Sequence, residues 1–107
     1  MQCVLMVACS SGPSLRDKIA KDPRIEKFGL HVTEQMRPGR PGGWTKVHSS
    51  EGAHGAINIQ WHPAANMLSC RVVTRRPGRP HEIAGVFVAY LLARHRRQIH
   101  AINIYPD

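Results

Sequence analysis

The chain has 107 residues, enough for one domain around a single modest core. Its three cysteines, Cys3, Cys9 and Cys70, form no C-x-x-C pair, which argues against a disulfide scaffold and for a reducing, cytoplasmic compartment. A net charge of +8 with histidine neutral directs attention to anionic partners, and no apolar run reaches the ~20 residues that span a bilayer.

The charge is unevenly placed. Residues 1–36 carry five basic and four acidic side chains, whereas residues 37–107 carry ten basic against three acidic. Nine of those ten are arginine, whose planar fork suits phosphate and carboxylate. An arginine-rich background composition accounts for the same excess equally well.

The first apolar stretch, Cys3 to Cys9, reads as a short strand ended by Ser-Ser-Gly-Pro. Leu5 to Gly12 also looks like the end of a bacterial lipoprotein signal. No basic residue precedes it, so the strand is preferred, and no membrane association is expected unless that signal is real and truncated. Ser14 then caps a helix, with Asp17 as the acidic half of a capping box and Leu15, Ile19, Ile25 and Phe28 as its inward face. Asp22-Pro23 kinks this segment or splits it in two. Its alternating charges suggest a solvated outer face.

Leu30 to Met36 alternates as a strand, with Leu30, Val32 and Glu34 on one side. A proline- and glycine-rich loop, 37–43, leads to a second strand from Trp44 to His48, and Ser49 to Gly55 forms another loop. Ala56 to Trp61 is a strand that sends Ile57, Ile59 and Trp61 inward. Met67 to Thr74 returns antiparallel to it, with Leu68, Cys70, Val72 and Thr74 alternating against Ser69, Arg71 and Val73. His81 to Arg97 is the organising helix. It is apolar on nearly every side between Ile83 and Ala93, so it needs cover on nearly every side. Gly85 either lets this helix approach a neighbour closely or is merely tolerated. Ile99 to Tyr105 ends the set as a strand.

This order implies a two-layer α+β domain spanning residues 1–107. A mainly antiparallel sheet of about four to six strands has the hairpin in its middle. The long buried C-terminal helix and the shorter N-terminal helix cover one face.

The pentapeptide Arg-Pro-Gly-Arg-Pro occurs twice, at 37–41 and 76–80. Its Gly-Arg-Pro end resembles part of an AT-hook, the minor-groove DNA-binding element. In that motif arginines flank glycine directly, whereas here a proline separates Arg37 from Gly39 and Arg76 from Gly78. The activity is therefore not carried over, and each copy also reads as an ordinary turn.

The second copy sits where the helix begins. Pro80 suits the first helical position, and Arg79 offers no capping side chain to the free amides beyond it. Arg75, Arg76 and Arg79 crowd an end that already carries partial positive charge, with Glu82 their only local offset. That combination marks an anion site. Arg94, Arg96 and Arg97 favour the helix C-terminus by themselves, so they count for less as evidence of binding.

The expected function is binding of DNA, RNA or another polyanion through backbone phosphates. Arg37, Arg40, Arg75, Arg76 and Arg79 lead, Lys46, Arg71, Arg94, Arg96 and Arg97 are secondary, and Trp44 can stack a base. The alternatives are a protein–protein interaction module or homodimer pairing through the last or first strand, and a small enzyme using the His48–His54 loop on an anionic substrate held at residues 75–80. The histidine spacing matches no zinc pattern and no catalytic set is complete, so no metal, cofactor or catalytic residue is expected.

Overall fold

The computed structural model describes residues 2–35, 44–49, 55–75 and 79–106, the side chains of Glu34, Gln35 and Trp44 excepted. The chain runs β1 (Gln2–Cys9), α1 (Leu15–Ala20), a 3-10 turn (Pro23–Phe28), β2 (Leu30–Gln35), β3 (Trp44–Ser49), β4 (Gly55–His62), β5 (Met67–Thr74), α2 (Pro80–Arg94) and β6 (Ile99–Pro106). The six strands form one sheet in the order β2-β3-β4-β5-β1-β6, and every neighbouring pair is antiparallel. The domain is α+β with helices on one face, as expected, and the β4–β5 hairpin lies mid-sheet.

The hairpin turns where Asn66 adopts a left-handed φ of 49°, a conformation asparagine tolerates well. β1 does not lie at an edge. It inserts between β5 and β6, and α2 carries the chain from one of these parallel strands to the other across it. This split βαβ arrangement explains why α2 packs over β1 and β5. The first strand is therefore interior and already paired on both sides, and among the described strands the edges are β2 and β6.

Alternation determines the faces. Leu5, Val7, Ile57, Ile59, Leu68, Cys70 and Val72 are fully buried on the helix side. They meet Leu15, Ile19 and Ile25 from the N-terminal helical segments and Ile83, Phe87, Tyr90 and Leu91 from α2. Trp61 and the three free cysteines are also buried. Burial pushes the Cys70 thiol far above its usual range, as befits a packing residue.

Ser14 caps α1, its Oγ accepting from the Asp17 amide at 3.3 Å. Asp22-Pro23 splits the segment in two, as the proline implied. The charged face of α1 is less solvated than its alternation suggested. Arg16 is buried, donates to Thr45 Oγ1 at 3.2 Å and pairs with Asp17.

One expectation about α2 is corrected, and one choice between alternatives is decided. It buries one face, and Val86, Ala89 and Leu92 stay exposed because a two-layer fold offers nothing to cover them. Gly85 is exposed, and a Cβ there would meet nothing within 4 Å, so it is tolerated and mediates no close approach. The glycine that does so is Gly55. A Cβ there would lie 2.6 Å from the Val73 carbonyl oxygen and 2.7 Å from both Ile83 Cδ1 and Thr74 Cγ2. Backbone cannot yield as a side chain can. Gly55→Ala is accordingly expected to cost about 1–3 kcal/mol, read as a lowered urea midpoint.

β2 also departs from simple alternation. Its register shifts between Val32 and Glu34, so Val32 pairs with Val47 while Glu34 pairs with Lys46. Glu34 is thereby removed from the row of Leu30 and Val32.

Candidate functional site

The sheet face opposite the helices is uncovered by any described element. Directly opposed residues of an antiparallel pair point to the same side, so the register gives the face row by row. One row runs Lys46, Asn58, Arg71, Val4, Tyr105 across five strands. The next runs Gln60, Ser69, Met6, Asn103 across four strands. Five adjacent strands at ~4.8 Å spacing make the first row about 19 Å long.

Beside the first row lies a concavity of about 540 Å³ at the end of β3, β4 and β5. Lys46, His48, Ser49, Asn58 and Arg75 line it, around the small residues Gly55 and Ala56. Arg71 and Arg75 are exposed and Lys46 is half-buried. No carboxylate lies within ion-pair distance of these three among the described residues. Glu34 is the register partner of Lys46 on β2.

Two pairs of polar side chains border this face among the described residues. His48 Nδ1 lies 2.8 Å from Thr33 Oγ1, and its ring stacks on that of His31 with centroids 5.9 Å apart. His62 Nε2 lies 2.9 Å from Ser69 Oγ. The latter has the reach of a nucleophile–base pair, but no described carboxylate bonds to His62 to orient it. No group of three or more histidine, cysteine or acidic side chains that could hold a metal exists among the described residues.

The arginines are not all alike. Arg79 is the exposed N-cap residue of α2 and makes no side-chain cap, and Pro80 takes the first turn. Arg75 and Arg79 thus flank the start of α2. Arg96 and Arg97 are exposed in the turn between α2 and β6, about 22 Å away along a 15-residue helix. Arg94 does not belong with the free cations. Its Nε donates to Asp22 Oδ2 at 3.2 Å and its Nη2 to Oδ1 at 3.4 Å, so its charge is already paired. Arg37, Arg40 and Arg76, with most of both Arg-Pro-Gly-Arg-Pro copies, lie outside the described residues, as does the Trp44 side chain. His100 is exposed on β6.

Sequence reasoning missed the polar cluster around Asp22. Asp22 is buried and caps the 3-10 turn by accepting from the Arg24 amide at 3.0 Å. The Tyr90 hydroxyl donates to Asp22 Oδ2 at 2.9 Å and lies 2.9 Å from His95 Nε2. A neutral His95 with its proton on Nε2 completes the set, donating to the phenol oxygen. Burial pushes the Asp22 carboxyl up, but bonds from Arg94, Tyr90 and the Arg24 amide prevail and hold it below the usual carboxylate range. Burial lowers the His95 pKa, with Asp22 opposing and Arg94 and Lys18 reinforcing. Burial, and then Asp22, raise that of Tyr90. The one sequence signal was a tyrosine inside an apolar helix, whose hydroxyl must find a partner when buried.

No family model, curated protein or solved structure matches the chain.

Proposed function

We propose that the protein binds nucleic acid or another polyanion through its open sheet face, mainly by phosphate contacts. One observation carries this reading. Lys46, Arg71 and Arg75 gather on an uncovered surface, at and beside one concavity, with no described carboxylate in ion-pair range. Arg79, at the N-cap of α2, and Arg96 and Arg97, in the turn after it, would be outlying contacts.

Such binding releases counterions, so affinity falls steeply as salt rises. Anisotropy titrations with labelled mixed-sequence oligonucleotides test it. Affinity is expected to drop on the order of 100-fold between 50 and 200 mM salt if about four to five phosphates are engaged. Salt-independent binding, or none at 50 mM, refutes the reading.

A second reading rests on β6, an edge strand with an unpaired outer backbone, where Ile104 is 51 % exposed on the helix side. A second copy pairing antiparallel along β6 would form an isologous dimer. Light scattering at dilute concentration separates the two states, and dimerisation leaves the open face free for a ligand.

A further inference from the structure

We propose that the open face takes its nucleic acid as a single strand, with phosphates along the β3–β5 side and bases laid toward β1 and β6. This rests on the polyanion reading above and names the ligand class for the same face.

The chemistry changes across the sheet. The cations Lys46 and Arg71 and the amide of Asn58 occupy one half of the first row. Val4 and then Tyr105 occupy the other half. In the next row Gln60 and Ser69 give way to Met6 and Asn103. Tyr105 is 56 % exposed, and no other ring packs against it among the described residues. Val4 and Met6 are half-buried, and no described element covers them.

Phosphates have no use for an apolar floor and an open aromatic ring. Unstacked bases do, because each presents an apolar face to stack and polar edges for amides and hydroxyls to meet. Duplex DNA hides its base faces and is read by an element that enters a groove. The described residues of this face offer no projecting helix or ribbon. A strand crossing the first row would meet Lys46 first, then Arg71, and the aromatic ring two strand spacings, about 10 Å, beyond Arg71.

The test compares one labelled single strand, the duplex of the same sequence, and polyglutamate of equal charge, all at 50 mM salt. The single strand is expected to bind at least tenfold more tightly than either of the others. Tyr105→Ala is expected to weaken single-strand binding on the order of tenfold while leaving the salt slope unchanged, and Tyr105→Phe to retain it. Equal or tighter binding of duplex, or of polyglutamate, overturns the single-strand assignment. So does an unchanged affinity in a folded Tyr105→Ala variant. If none of the three probes binds, the underlying polyanion reading fails too, and that result is distinct from a wrong preference among bound probes.

Discussion

Reversing charge at two positions, Arg71→Glu with Arg75→Glu, is expected to lower affinity for a labelled oligonucleotide on the order of 100-fold at about 0.1 M salt. Neutral replacement of the same pair should reduce the salt slope by about 2, one for each phosphate no longer neutralised. Both side chains are exposed, and neither has a described ion-pair partner, so the fold should change by no more than about 0.5 kcal/mol per site. The informative control is Arg96→Glu with Arg97→Glu, which alters net charge by the same amount at the far end of α2. If binding depends on the open face, the control loses much less affinity. If it loses as much, attraction follows total charge, and the gathering of cations around the concavity has no bearing on recognition.

The features behind that experiment differ in how far they could be read from sequence. Period-two alternation showed that Arg71 points away from Cys70 and Val72, because a strand half-covered by helices must place polar residues on its outer side. It could not show that Arg71 lies two strands from Lys46 with Asn58 between them. That alignment comes from the registers of β3, β4 and β5, which turn geometry and packing set jointly. The position of β1 was hidden for a similar reason. Nothing local in Cys3 to Cys9 marks a strand destined to separate β5 from β6, since its partners lie at least 59 residues away.

The burial of Arg16 is hidden because charges alternating along α1 look solvated from sequence alone. The pattern does not show that Thr45, 29 residues on, supplies an acceptor beneath the helix. α2 misleads in the opposite sense. An unbroken apolar run implies cover all round, but a single sheet can cover only one side. Val86 and Leu92 therefore remain on the surface beside a correctly expected inner face of Ile83, Phe87, Tyr90 and Leu91.

The Asp22 cluster joins the end of α2 to the turn that follows α1, across 68 residues of sequence, and its removal should be as costly as a core truncation. Asp22→Ala deletes a buried carboxylate that receives bonds from Tyr90, Arg94 and the Arg24 amide at once. Breaking a buried pair by removing one partner costs about 3–5 kcal/mol, and Arg94 is 34 % exposed and can regain water. The expected loss is therefore about 3 kcal/mol, or a melting temperature lower by on the order of 10 °C. Tyr90→Phe removes one hydrogen bond and should cost about 1–2 kcal/mol.

The same cluster sets a direction for pH. His95 has a folded-state pKa below its ordinary value, first because it is buried, so below about 6.5 the unfolded chain takes up a proton that the folded chain resists. Stability should therefore fall as pH drops from about 6.5 toward that depressed value. It should fall again at lower pH, once the carboxyl of Asp22, itself held below the usual range, is protonated. Urea midpoints at pH 7.5 and 5.0 measure the first step. In His95→Asn the pH-dependent difference should shrink, whatever the variant's absolute stability. If Asp22→Ala stays within about 1 kcal/mol of the parent, and the parent is equally stable at both pH values, then the core alone joins α2 to the N-terminal helical segment. The polar cluster would in that case only fill space left by packing.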